Sequence, residues 1–129
     1  MLYRMRIYQA VPENLPVFHE FFRRWLLPIQ QRHGARLIGR WETDDGRVVA
    51  VWEYDDRAAY QRIESAIRQD PDLILAQQHR ALLPPMTTAR EEVFMSGTLP
   101  PGAAATATTA TAAVTAGPAV TRGNDGLRG

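Results

Sequence analysis

Hydrophobic and polar residues alternate at the start of the chain. In "YRMRIY", residues 3–8, Tyr3, Met5 and Ile7 interleave with Arg4, Arg6 and Tyr8. A period of two marks a β-strand with unlike faces, and the strand is expected over roughly 2–9. The pattern then changes. Apolar residues recur every three or four positions at Leu15, Phe18, Phe22, Trp25, Leu26 and Ile29, which is the buried stripe of a helix. Asn14 suits the N-cap, and Pro16 falls in the first turn, where a missing N–H costs little. Gly34 stands where the glycine after a helix end belongs. Pro28 deletes a backbone hydrogen bond inside the helix, so a kink is expected before "IQQRHG" finishes it.

The stretch "ARLIGRWETDDGRVVAVWEYDD" holds two strand-like runs around Asp45-Gly46, a strong hairpin signal. Asp55 or Asp56 then caps a second helix running to about Gln69, and Asp70-Pro71 opens a short third one that stops before Pro84-Pro85. A last strand, "TTAREEVFM", closes the domain. This order predicts an α+β, ferredoxin-like βαββαβ fold: a four-stranded antiparallel sheet with helices on one face. The third strand adds something. In "VVAVWEY", Val49 and Val51 lie on one face, and Val48, Ala50 and Trp52 on the other. One helical layer covers one face, so the second face is expected to bury against the same face of another subunit. Two sheets meeting in this way form a homodimeric α/β barrel with a cavity between them.

Composition sets the limits. The chain has 129 residues, 45% of them hydrophobic, enough for one domain with a core. Near Ser96 the residues change to "GAAATATTATAAVTAGPAV", which has little large apolar surface to offset its conformational entropy. The folded domain is therefore expected over 1–96, with an Ala/Thr/Gly-rich disordered tail over 97–129. Fifteen basic residues face 14 acidic ones, without like-charge blocks, so neither nucleic acid nor an anionic membrane is an expected partner. No apolar run reaches the ~20 residues of a membrane helix and no signal-peptide core is seen, so a soluble, cytoplasmic protein is expected.

Three absences narrow the chemistry. Cysteine is missing, which removes thiolate nucleophiles and thiolate-held metals. Lysine is missing, which removes Schiff-base catalysis and a P-loop lysine; arginine in place of every lysine, with abundant alanine, points to a GC-rich genome. Serine occurs at Ser65, within a helical pattern, and at Ser96, beside the tail, so a serine hydrolase is not expected. The histidines His19, His33 and His79 sit in separate helical segments without ligand spacing, and neither a metal nor a cofactor is expected.

The stretches "LYRMRIYQAVPENLPVFHEFF" and "LPIQQRHGARLIGRWETDDGRVVAVWEYDD" resemble the NIPSNAP family of the dimeric α/β-barrel superfamily. The resemblance spans nearly all of residues 2–95. It is carried by R-x-Y at Arg6 and Tyr8, "LPIQQRHGA" at Leu27 to Ala35, G-x-W at Gly39 and Trp41, and "WEYDD" at the end of the third strand. It implies the same fold and a homodimer, without implying a reaction. Other superfamily branches include cofactor-free monooxygenases, haem-degrading enzymes, dehydratases and isomerases. The haem-degrading branch fits poorly, because asparagine occurs only at Asn14 and Asn124.

Candidate ligand contacts follow. If Tyr3, Met5 and Ile7 face the helices, then Arg4, Arg6 and Tyr8 face the barrel interior, joined by Arg90, Glu92 and Phe94 from the last strand. Glu92 then either pairs with the arginines structurally or leaves one guanidinium free for a small anionic or aromatic ligand. Arg6 is the choice, because it matches the R-x-Y pattern. Trp52 offers an aromatic wall or plain core, and the face of Trp41 is open. His33 is expected to cap a helix end, with a general-base role as the alternative. Glu53 is expected to be structural. A non-catalytic module with a filled sheet face is the rival reading.

Overall fold

Four antiparallel strands carry the fold: β1 (Leu2–Ala10), β2 (Arg36–Glu42), β3 (Arg47–Tyr54) and β4 (Thr87–Ser96), in the order β2-β3-β1-β4. The structure, a computed structural model, describes residues 1–100. Most of the tail expected over 97–129 lies outside them. Between β1 and β2 runs a helical segment made of a 3₁₀ turn (Pro12–Asn14), α1 (Leu15–Phe21), a π turn (Phe22–Leu26) and α2 (Leu27–Arg32). After β3 come α3 (Arg57–Arg68) and α4 (Pro71–Arg80). This is the ferredoxin-like α+β arrangement expected from the pattern.

The kink expected at Pro28 takes the form of the π turn. Pro28 has no N–H for the carbonyl one turn earlier, and just before it the Leu27 N–H reaches back to the Phe22 carbonyl. The extra residue in that turn shifts the helical register. Phe21, absent from the expected stripe, ends α1 just before this turn and is buried in one cluster with Phe18, three residues earlier, and Ile29. Gly34 and Gly46 have φ of 104° and 87°, the left-handed region that the helix end and the hairpin turn require.

Asp56 caps α3 by accepting the Ala59 N–H at 2.7 Å, and Asp70 caps α4 by accepting the Asp72 N–H at 2.9 Å. Asn14 does not cap. Its φ and ψ of −109° and 12° follow from the 3₁₀ turn, and its side chain donates to the Pro85 carbonyl at 2.7 Å. The other Asp70 oxygen lies 2.7 Å from His33 Nε2 and 2.7 Å from Arg32 Nη2. His33, then the Asp72 N–H, then Arg32 hold the Asp70 carboxyl well below the usual aspartate range. A carboxylate whose pKa is depressed on folding stabilises the native state above its unfolded value and loses that effect as pH falls toward the folded one. The difference in Tm between the wild type and Asp70→Asn should therefore be at full size from about pH 5 upward and shrink below about pH 4. A constant difference down to about pH 2 would remove Asp70 from the acid response.

The helices cover the face that carries Leu2, Arg4, Arg6, Tyr8 and Ala10, together with Val48, Ala50, Trp52 and Tyr54 of β3. This reverses the expected orientation: Arg4, Arg6 and Tyr8 point into the helical layer, and Tyr3, Met5 and Ile7 lie on the open face. Alternation determines which residues share a face, but not which face the helices take. Here β3 decides, because its large residues Trp52 and Tyr54 pair across to Arg4 and Leu2 and bury against Phe22, Leu27 and Tyr60 from the helices.

Candidate functional site

Three adjacent cross-strand rows of the helix-covered face surround the site. Leu37, Trp52, Arg4 and Phe94 make one row, Arg40, Ala50, Arg6 and Glu92 the next, and Glu42, Val48, Tyr8 and Arg90 the third. Ala50, at the centre, is too small to reach the helices. Above it lies a cavity of about 550 Å³. Its floor is Arg6, Tyr8, Ala50 and Trp52, its roof is Phe18, Phe21, Phe22, Leu26 and Gln30, and α3, α4 and the start of β4 close the sides.

The two arginines of β1 differ sharply. Arg4 is only 4% exposed and is fully engaged. It donates from Nε to Glu92 at 3.1 Å and from Nη1 to the Tyr54 hydroxyl at 3.4 Å and Glu64 at 3.5 Å, and its guanidinium lies over the Tyr60 ring at 5.5 Å. Burial opposes the Arg4 cation, but Tyr54 and Glu92 outweigh it and raise its pKa above the usual arginine value. Arg6 makes no hydrogen bond among the described residues. Its Nε is buried, without a hydrogen-bond partner, 3.7 Å from Glu92, and its guanidinium lies over Tyr8 at 5.5 Å. Burial lowers the Arg6 pKa below the usual value, opposed by Tyr8 and Glu92 and reinforced by Arg4 and Arg90. A half-buried cation with so little compensation is suited to an anionic ligand.

The other charges around the cavity point the same way. Among the described residues that line it, Arg68 and Arg80 join Arg6 against one carboxylate, Glu64. Beside it, Arg40 donates from Nη1 to His19 Nδ1 at 2.7 Å, and His19 Nε2 lies 2.6 Å from Glu42. The Arg40 guanidinium lies over Phe18 and Phe22 at 4.8 and 4.3 Å, which places these rings between a cation and the cavity. A second groove of about 500 Å³, with Val17, Phe21, Trp25, His79 and Leu83 among its walls, carries among the described residues one acidic and one basic side chain, Glu20 and Arg24, which pair with each other. It offers no unpaired buried group to a ligand.

The other expected contacts divide. Trp52 is 3% exposed and forms part of the cavity floor. Trp41 lies on the open face, paired with Val49 and 51% exposed. Its indole folds onto Gly39, where a Cβ would come within 2.3 Å of the ring, and this explains the G-x-W spacing physically. His33 lies away from the cavity, bound to Asp70. Glu53, on the open face, accepts from the Tyr3 hydroxyl and from Arg36, each at 2.9 Å. Glu92 takes the structural role with Arg4 while leaving Arg6 loosely held. Pattern reading missed Gln30 in the roof and the exposed Arg68 and Arg80 at the cavity edge, whose polar positions on helices carry no signal of bordering a cavity.

A four-stranded sheet with helices on one face and a charged cavity beneath them defines a ferredoxin-like α+β protein. The NIPSNAP family model matches residues 3–90, and the chain belongs to that family. A NIPSNAP domain protein of Burkholderia xenovorans is 27% identical with a TM-score of 0.66, covering 75% of this chain and 94% of that one. A NIPSNAP family protein of Agrobacterium tumefaciens is 18% identical with a TM-score of 0.65, covering 75% and 92%. An antibiotic biosynthesis monooxygenase shares the fold at 14% identity and a TM-score of 0.54, covering 77% and 100%. Among curated proteins none matches the chain. No helix of the described residues is long and apolar enough to cross a membrane.

Proposed function

We propose that this NIPSNAP protein binds a small anionic molecule with an apolar, aromatic body in the cavity between its sheet and its helices. One observation carries the reading: half-buried Arg6 lines a cavity of about 550 Å³ with no hydrogen bond among the described residues and only a loose 3.7 Å pairing to Glu92, while Arg4, two residues away, has its charge fully matched. That volume lies within the ~300–1,000 Å³ usual for small-molecule sites. It argues against the filled interior of a purely structural module. Arg6 holds the anion, Tyr8 donates a hydrogen bond from the same strand face, and Trp52 forms a wall. If the bound molecule reacts, the preorganised donors favour an oxygen that gains negative charge, as in an enolate. Oxygenation, isomerisation, cyclisation and elimination without a cofactor all fit that description.

The reading includes a homodimer. Tyr3, Met5, Ile7, Val49, Val51, Val93, Met95 and Trp41 form a nearly continuous apolar surface on the open face. Such an expanse is unusual on a monomer, and a second copy of the same face covers it symmetrically. The ligand cavity then lies on the helical side of each sheet.

The test is a thermal-shift screen of small aromatic and aliphatic carboxylates against the wild type and Arg6→Met. An acid at 100 times its Kd stabilises the native state by about 2.7 kcal/mol, which raises Tm by about 10 °C or more in a domain of this size. The rise should vanish in Arg6→Met. Acids that shift both proteins equally would remove Arg6 from the site, and the anion reading with it.

A further inference from the structure

Two side-chain atoms among the residues lining the cavity are buried without a hydrogen-bond partner, and they are of opposite kinds. Arg6 Nε is a donor on the sheet floor, and Gln30 Oε1 is an acceptor on the helical roof. The remaining orphans, Arg40 Nε and Nη2, belong to a side chain covered by Phe18 and Phe22 and outside the cavity lining. Gln30 is therefore the polar group of the roof that Arg6 chemistry does not explain.

Resting on the anion reading above, we propose that the occupant is a hydroxylated acid. Its anionic oxygen is taken by Arg6 and its neutral hydroxyl by Gln30. The body that joins them lies against Trp52 and Phe22, whose rings are 6.1 Å apart and tilted by 56°. The choice of a hydroxyl follows from elimination. A plain carboxylate leaves the buried Gln30 oxygen unpaired, which disfavours binding. A second carboxylate meets that oxygen lone pair to lone pair. An ammonium group donates to it, but Arg6, Arg68 and Arg80 line the same cavity and repel a cation. A hydroxyl donates to the amide oxygen as the structure orients it. Gln30 is then a specificity residue, set on α2 directly behind the π turn.

Matched acids provide the test: phenylacetate and 3-phenylpropanoate, each with and without a ring hydroxyl at every position. They are titrated calorimetrically into the full chain, into Gln30→Met and into Arg6→Met. In the wild type at least one hydroxylated acid should bind about tenfold or more tightly than its parent. Gln30→Met should erase that preference and leave the parent acid's Kd within about twofold. Arg6→Met should weaken both members of each pair alike. Should Gln30→Met fail to fold, Gln30→Glu retains an acceptor and should keep the preference while weakening every acid. Equal binding of each pair in the wild type overturns the hydroxyl assignment and leaves the anion reading standing. So does a preference that survives Gln30→Met. Binding of none of the acids overturns both.

Discussion

Val51→Glu is expected to turn the protein into a monomer. Val51 is at the centre of the open face, opposite Met5 on one side and Gly39 on the other. In a symmetric dimer it faces the partner's apolar surface, and its carboxylate would lose water without gaining a partner. Burying such a charge unpaired costs several kcal/mol, enough to dissociate an interface between two small sheets. Light scattering on a sizing column should give twice the 14.5 kDa chain mass for the wild type and the single mass for the variant. Gln78→Glu, on the exposed side of α4, should stay dimeric and serves as the control for added charge. A wild type that runs as a monomer ends the dimer proposal. A dimeric Val51→Glu moves the interface elsewhere.

The second large effect concerns Arg4. Arg4→Met leaves the Tyr54 hydroxyl, Glu64 and Glu92 without the cation they share. Breaking a buried ion pair costs about 3–5 kcal/mol. The carboxylates keep 21% and 32% exposure, so water compensates in part and the lower end applies, about 3 kcal/mol. In a domain of this size that lowers Tm by more than about 10 °C. Arg6→Met should behave in the opposite sense: it removes an under-bonded, half-buried cation, while Glu92 retains Arg4, so Tm should stay within a few degrees or rise. Urea unfolding of both variants decides between structural and ligand roles for the two arginines. A result in which Arg6→Met is the more damaging would exchange those roles.

The contrast between these arginines marks how far pattern reading reaches. Both occupy the same phase of one alternating strand, and local sequence treats them alike. They differ because Arg4 meets Tyr54, Tyr60 and Glu64, which come from β3 and α3, some 50 to 60 residues away, whereas Arg6 sits beside small Ala50. Side-chain size on a neighbouring strand decides which cation is satisfied. Gln30 was not identified because a polar residue near a helix end reads as solvent-facing, and the π turn that alters the helical register is a consequence of backbone geometry at Pro28.

By itself the sequence determined the order and type of the elements, a cap at Asp55 or Asp56 and one at Asp70, the glycines at Gly34 and Gly46, the family, and the sharing of one face by Arg4, Arg6, Tyr8 and Glu92. These rest on periodicities and turn chemistry within a few residues of each other, where backbone sterics and local hydrogen bonds dominate. The tertiary structure alone decided which face of the sheet the helices cover, and so placed Arg4, Arg6 and Tyr8, with the cavity above Ala50, beneath the helices. Alternation is symmetric with respect to the two faces of a sheet, and only the packing of Trp52, Tyr54, Phe18 and Phe21 from distant parts of the chain breaks that symmetry.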